Sequence, residues 1–303
     1  MSDKKTVDTT ELPPVATENT ESIETKKVDS KPLPPTPSNP LLERAQMPGE
    51  DHRLPSGGVF YNDGELDSSV ENGEVHIHPL TTMDEINISS PALLYSGEGI
   101  VKAIKRCVPS VLKPEMLLAQ DVDFILLCMR KISYGPKFEF TRTHYECGGL
   151  EDDQEPTEQT YEANLDKVIS VTKSLNVTKM AKIYTLELDS GQIVKFEPLR
   201  FGVYVNLMQA QAHAAREDVD EEQQKNLILD QLAGVIAAVD EISDTKMIRE
   251  WLEIVTSAQI RSINDKIEEV ANWGVNTTVK VKCRTCKETM EVELPTSPLV
   301  LFS

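Results

Sequence analysis

Two cysteines near the C-terminal end carry the clearest chemical pattern in the sequence. Cys283 and Cys286 are separated by two residues, and alternating apolar and polar residues on both sides predict a β-hairpin over residues 277–294. The tight turn of such a hairpin directs both sulfur atoms to one point, which is the sequence form of a zinc knuckle. A thioredoxin-type redox function needs the pair to open a helix after a βαβ strand, and the surrounding sequence lacks that pattern.

A second pair with the same spacing supplies the ligands that one knuckle lacks. His144 and Cys147 follow a predicted strand, and the two glycines after them let the backbone turn back. Structural zinc takes four ligands, so the predicted site is His144, Cys147, Cys283 and Cys286. This closed His-Cys₃ set leaves no position for water or substrate, so we expect about one structural zinc ion per chain. The alternative is two unrelated pairs, with Cys147 as a buried thiol.

The free energy of zinc binding exceeds the cost of joining the two pairs. Closing the long loop between residues 147 and 283 costs on the order of 5 kcal/mol of chain entropy. Structural zinc contributes roughly 10–16 kcal/mol in small peptides. Cys107 and Cys128 lie on apolar faces of predicted helices, so we expect them in the core and not at the metal.

The elements predicted around these pairs give an α+β fold: a helix-rich domain with peripheral β-hairpins and zinc-ribbon-like knuckles. Hydrophobic periodicity and turn residues define them. They are a hairpin at 57–79, helices within 82–132, a knuckle strand at 137–150, an acidic exposed loop at 151–162, a hairpin at 182–197, helices throughout 200–272 and the knuckle hairpin at 277–294. Residues 46–303 are therefore expected to form a single zinc-stapled domain.

The first 45 residues have a different composition. They are rich in Thr, Glu, Lys, Pro and Ser, and the proline-rich stretch at 31–37 favours polyproline II. They offer too little apolar surface to offset the entropy of ordering, so residues 1–45 are predicted to be a disordered arm. They contain no apolar segment typical of a signal peptide, and no apolar run of the chain is long enough to span a membrane, so we expect a cytoplasmic protein without membrane insertion.

Charge and motif content argue against enzymes and nucleic-acid binders. The net charge is −19, from 50 acidic and 31 basic residues, whereas nucleic-acid binders normally concentrate Lys and Arg on one face. Phosphate-binding loops, nucleophile elbows and His-Glu-x-x-His helices do not occur in the sequence, and no small-molecule substrate is indicated. Two acidic pairs imitate catalytic carboxylates, Asp84-Glu85 and Asp121 with Asp123. Both stand where helices are predicted to begin, and Thr81 or Thr82 precedes the first, so we interpret the acidic residues as helix caps.

Several sequence landmarks recur together in one protein family. They are Leu54-Pro55-Ser56-Gly57-Gly58 with Phe60-Tyr61, His78-Pro79-Leu80-Thr81-Thr82-Met83-Asp84-Glu85, Cys107-Val108-Pro109-Ser110, and Asp121-Val122-Asp123-Phe124-Ile125-Leu126-Leu127 running to Arg130-Lys131-Ile132-Ser133-Tyr134-Gly135, followed by a cysteine knuckle. In this order they resemble the baseplate hub and tail-assembly proteins of contractile-tailed (myovirus) bacteriophages. The resemblance covers about residues 54–150, with weaker support from the Cys283–Cys286 hairpin. The family pattern commonly has Cys-x-x-Cys at the first knuckle, where this chain has His144.

The resemblance implies a non-catalytic structural or assembly protein of the phage tail. Its partners would be other tail and baseplate proteins, and its location the host cytoplasm during assembly and then the virion. The alternative hypothesis is a zinc-ribbon regulator that binds nucleic acid or a polymerase, because Lys280, Lys282, Arg284 and Lys287 make the last hairpin locally basic. The overall acidic charge disfavours direct contact with nucleic acid.

Deleting residues 1–40 is expected to leave thermal stability nearly unchanged, because a disordered arm contributes no buried surface. Thermal unfolding of the full-length and shortened chains measures this. A large loss of stability on deletion would show that the arm packs against the folded domain.

Overall fold

Helices and small antiparallel sheets alternate along the chain, which confirms the predicted α+β class. The computed structural model describes residues 48–143, 158–176, 184–214, 221–283 and 287–302. Residues 47–303 form one compact unit. The arm predicted at residues 1–45 lies outside the described residues.

The strands are short and pair with antiparallel neighbours. The pairs are β1 (Glu50–Arg53) with β2 (Glu74–Ile77), β3 (Lys137–Thr143) with β4 (Glu158–Asn164), β5 (Thr185–Glu187) with β6 (Ile193–Phe196) and β6 with β7 (Ile236–Val239), and β8 (Thr278–Lys282) with β9 (Thr289–Glu293). The sheets are too small to form a core alone, so the helices must cover them.

The helices fall before, between and after these sheets. They are α1 (Thr82–Ser89), α2 (Pro91–Tyr95), α3 (Glu98–Cys107), α4 (Ala119–Tyr134), α5 (Leu165–Ser170), α6 (Phe201–Ala214), α7 (Glu221–Val235), α8 (Thr245–Leu252), α9 (Ser257–Ala271) and α10 (Pro298–Leu301), with a 3₁₀ turn at Pro114–Met116 before α4.

Helix α4 lies at the centre of the first hydrophobic cluster. Every residue from Phe124 to Met129 is buried, as the apolar run in the sequence predicts for an enclosed helix. Side chains from β2, α3, β3 and β4 pack in the same cluster. A second cluster joins β6 and β7 to helices α7, α8 and α9, with Trp273 at its edge.

Thr81, one of the two threonines that the sequence predicts as the cap, is the N-cap of helix α1 and forms a capping box with Asp84. The Thr81 Oγ1 accepts the Asp84 N–H, and the Asp84 carboxylate accepts the Thr81 N–H at 2.8 Å. Arg106 of α3 forms an ion pair with Asp84 and donates a hydrogen bond to the Pro79 carbonyl at 2.6 Å. The capping carboxylate therefore also ties α1 to α3.

Asp121 has a different function from the cap that the sequence predicts. Helix α4 has Leu118 at its N-cap and no capping side chain, and Asp121 lies fully buried in the first turn. Its two carboxylate oxygens accept hydrogen bonds from the Ser56 N–H at 3.0 Å and from the Tyr61 O–H at 2.6 Å. The prediction of a cap was wrong because the partner segment is some sixty residues distant in sequence.

Arg200 holds the same segment from the other side. Its guanidinium donates to the Phe60 carbonyl at 2.7 Å and to the Met116 carbonyl at 2.8 Å, and it pairs with the buried Glu65 carboxylate at 3.0 Å. The irregular segment from Leu54 to Glu65 is therefore fixed by buried polar contacts as well as by packing.

The hairpin predicted at residues 57–79 is wrong in its first strand. Strand β2 pairs instead with β1, which precedes the predicted hairpin. Gly57 and Gly58 adopt positive φ and approach Gly73 so closely that a Cβ on Gly73 would lie 2.6 Å from the Gly57 carbonyl carbon. The glycines make a close backbone crossing at the point where the sequence predicts a strand to begin.

Two further boundaries differ from the prediction. Residues 200–272 are not wholly helical, because Ile236–Val239 forms strand β7 beside β6. A short apolar run fits a buried helix turn and a buried strand equally well, so periodicity cannot distinguish them. The acidic segment predicted as an exposed loop contains the start of β4 from Glu158 onward. The hairpins predicted at 182–197 and 277–294 are confirmed in the described residues as β5–β6 and β8–β9.

The change Asp121→Ala is expected to lower the free energy of unfolding by about 2–4 kcal/mol, because it leaves two buried donors without an acceptor. Urea denaturation at neutral pH measures the loss. Asp63→Ala, at an exposed turn position, is the matched control and should change stability by less than about 0.5 kcal/mol. Equal effects of the two changes would contradict the function assigned to Asp121.

Candidate metal site at two adjacent hairpins

Two antiparallel hairpins carry the residues predicted to bind zinc. In the first, the register of β3 and β4 runs from Lys137 opposite Asn164 to Thr143 opposite Glu158. In the second, Thr278 of β8 lies opposite Glu293 of β9, and Lys282 lies opposite Thr289. His144 and Cys147 follow Thr143 in the segment that connects β3 to β4. Cys283 and Cys286 follow Lys282 in the segment that connects β8 to β9.

The two hairpins lie side by side in the structure. Strand β4 lies next to β8, and Arg142 of β3 donates a hydrogen bond to the Glu293 carbonyl of β9 at 3.3 Å. Phe140, Tyr161 and Val281 are buried in the same hydrophobic cluster. Packing of apolar side chains therefore aligns two hairpins that are more than a hundred residues apart in sequence.

Cys283 is the member of the predicted metal site that the structure describes. It lies directly after β8 and is 1% exposed. Its backbone N–H donates to the Glu288 carbonyl at 2.9 Å, and its own carbonyl accepts the Lys287 N–H at 3.1 Å. These two bonds close the base of the connection between β8 and β9.

The sulfur of Cys283 points toward the other hairpin. Its Sγ lies 3.7 Å from the Gln159 Oε1 of β4. Gln159 stands opposite Arg142 in the ladder, and the next pair is Thr143 with Glu158. The buried thiol is therefore next to the strand ends from which the connection carrying His144 departs.

The other three predicted ligands, His144, Cys147 and Cys286, lie outside the described residues. Among the residues that the structure does describe, no group of three or more His, Cys, Asp or Glu side chains is placed to hold a metal ion. The four-ligand zinc site thus stays a prediction. Of the four predicted ligands, the structure places Cys283 alone, beside Gln159 near the end of the first hairpin.

Cys107 and Cys128 are core residues, as predicted. Both are fully buried in the first hydrophobic cluster, and neither is in a disulfide. Burial raises the pKa of the Cys107 thiol to about 12 and that of the Cys128 thiol further still. Both sulfurs are therefore protonated and unreactive at neutral pH.

Sequence reasoning missed the residues that align the hairpins. Arg142 and Gln159 carry no motif, and Gln159 lies in the segment predicted as an exposed loop. A signal was present in Gln159-Thr160-Tyr161, because one buried aromatic in an alternating polar stretch is typical of a half-buried strand. The contacts of Arg142 with Glu293 and of Gln159 with Cys283, in contrast, have no signal in the sequence.

Comparison with known families decides the class of protein. A family model described as T4 bacteriophage base plate protein matches residues 68–298. The chain belongs to this myovirus baseplate family. The matched range includes α4 and both hairpins, and so extends well beyond the segment whose motifs suggest the family. None of the curated proteins and none of the solved structures compared with the chain matches it.

Family membership makes the chain a structural component of the phage tail baseplate. Proteins of this kind contact other tail proteins, and the family assigns the chain to the tail of the virion. In the described part of the chain, we find no helix that combines the length and the apolar character needed to cross a bilayer.

Proposed function

We propose that this baseplate protein is a non-catalytic subunit of the baseplate hub, and that a structural zinc ion bound by His144, Cys147, Cys283 and Cys286 closes its fold. The observation that carries the zinc site is the position of the buried Cys283 sulfur, 3.7 Å from Gln159 near the end of the β3–β4 hairpin at which the connecting segment departs. The two connections that hold the ligand pairs leave the ladders at this place.

The chemistry of the four residues supports zinc. Three thiolates and one imidazole form a set that Zn²⁺ binds tetrahedrally, and histidine replaces cysteine in such sites without loss of a ligand. Zinc would neutralise thiolates that are otherwise expensive to bury. When bound, the ion would cross-link the two hairpins, and the residues of the chain would supply every ligand.

A structural and not a catalytic function follows from the ligand number. Four protein ligands leave no open position for water or substrate. The three carboxylate residues that are buried in the described structure have structural partners. Asp84 caps α1 and pairs with Arg106, Glu65 pairs with Arg200, and Asp121 accepts two hydrogen bonds.

A position in the hub is supported by the ordered motifs at residues 54–150 and by apolar side chains that the described surface leaves exposed. Met83 and Ile86 of α1 are 65% and 58% exposed, and Tyr204 and Met208 of α6 are each more than two-fifths exposed. These exposed side chains offer apolar surface that a partner protein could cover.

Purified protein is expected to contain about one zinc ion per chain, and Cys283→Ser should abolish zinc binding and lower the free energy of unfolding by more than about 3 kcal/mol. Elemental analysis and thermal unfolding with and without a chelator measure both effects. Cys128→Ala is the matched control, because it removes a buried thiol away from the hairpins and should keep the zinc. A metal-free protein that is fully folded would contradict the zinc site.

The hub assignment is tested by co-expression with the tail and baseplate proteins of the same phage. We expect the chain to form a stable complex with at least one of them in size-exclusion chromatography. Salt-dependent binding to generic DNA, without binding to any tail protein, would contradict the hub assignment and favour a nucleic-acid function. In the described structure Lys280 pairs with Glu291 across the β8–β9 ladder at 3.3 Å, which reduces the basic character of that hairpin.

A further inference from the structure

A pocket at the start of α4 contains a carboxylate that has no partner among the described residues. The pocket has a volume of about 250 Å³ and lies between α4, α6 and α9. Asp123 and Gln120 of α4, Glu197 and Tyr204 are its polar lining residues. The rest of the described lining is apolar, from residues such as Val235 and Val270.

Asp123 differs from Asp121, which is two positions earlier. Both oxygens of Asp121 accept hydrogen bonds from within the protein. Asp123 makes no hydrogen bond or ion pair with any residue that the structure describes, although the surrounding walls desolvate its carboxylate and raise its pKa to about 6. The residue as a whole is exposed. A carboxylate without a partner in the described structure is free to accept hydrogen bonds from another molecule.

The described lining of the pocket presents hydrogen-bond acceptors and no basic side chain. Besides Asp123, it holds the exposed Glu197 carboxylate, and the buried Oε1 of Gln120 has no hydrogen-bonding partner in the described structure. None of the described lining residues is a lysine or an arginine. The ligand that fits such a lining carries a positive charge and several N–H donors.

The tyrosine at the pocket favours arginine among cationic groups. Tyr204 is 42% exposed, and its phenol pKa is raised by partial burial and then by the charge of the nearby Asp123 carboxylate. A guanidinium can donate two parallel hydrogen bonds to a carboxylate and stack on an aromatic ring, which an ammonium cannot do equally well. The apolar walls then suit the three methylene groups of an arginine side chain.

The surface beside the pocket continues as an apolar stripe. Tyr204 and Met208 are four residues apart on α6, so they lie on one helical face, and both are exposed. A free cation would not bury this apolar stripe. A protein segment can cover the stripe while one of its side chains enters the pocket.

We propose that this pocket is a docking site for an arginine side chain of a partner protein, held by the Asp123 carboxylate and the Tyr204 ring. The proposal that the pocket binds arginine does not depend on the proposed function. The identification of the partner as another baseplate protein does rest on it. The net charge of −19 suits a partner with a basic surface.

A capped peptide with arginine between two leucines is the probe, and the same peptide with citrulline is its uncharged counterpart. Nuclear magnetic resonance titration of the full-length protein is expected to give shifts at the start of α4 and in α6, with a Kd of about 1–10 mM for the arginine peptide. The citrulline peptide should bind at least about tenfold more weakly, because it lacks the charge.

Variants locate the binding. Asp123→Asn should weaken the arginine peptide about tenfold or more while the protein stays folded, because Asp123 supports no contact within the described chain. Asp189→Asn removes one charge from the exposed β5–β6 turn, outside the pocket lining, and should leave binding unchanged. The proposal is overturned if the two peptides bind equally, if Asp123→Asn binds as the wild type does, or if no shift occurs at about 10 mM peptide. None of these results depends on zinc or on the hub assignment.

Discussion

The buried carboxylate of Asp121 is the interaction on which the arrangement of the first half of the chain depends. A charged group in the first turn of an enclosed helix is costly, and it is tolerated because both oxygens are hydrogen-bonded to the Leu54–Tyr61 segment. The Tyr61 hydroxyl also accepts the Leu118 N–H at 3.0 Å, at the end of α4 that has no capping side chain. One small network thus replaces a helix cap, anchors an irregular segment and fixes where α4 begins.

The position of α4 in turn governs the hairpins. Strand β3 follows α4 after Gly135, whose positive φ ends the helix, and its buried side chains Phe138 and Phe140 extend the same cluster. The β8–β9 hairpin joins that cluster through Val281, which places the Cys283 sulfur against β4. A zinc ion at this point would lock a contact that hydrophobic packing has already made, so the loop entropy would not oppose metal binding in full.

Asp121 and Asp123 show how two like residues on one helix can serve different purposes. The first faces inward and is satisfied by the protein itself. The second lines a pocket whose described lining has no lysine or arginine, beside the exposed Tyr204, and we propose that it binds a partner. For a baseplate protein, whose function is to assemble with other subunits, such a partly satisfied surface is consistent with assembly and need not be a defect of packing.

The sequence by itself determined the features that depend on near neighbours in the chain. These are the enclosed character of α4, a threonine cap with acidic residues in the first turn of α1, the β5–β6 and β8–β9 hairpins, the core cysteines and the spacing of the four candidate zinc ligands. Their physical causes are periodicity, turn residues and ligand geometry, and all act over a few positions. Only the tertiary structure decided that Ile236–Val239 is a strand, that β2 pairs with β1, that Asp121 binds Tyr61 and that Cys283 meets Gln159. Each of these depends on a contact between segments that are far apart in the chain. Packing brings them together, and the local sequence patterns do not show which distant segments will meet.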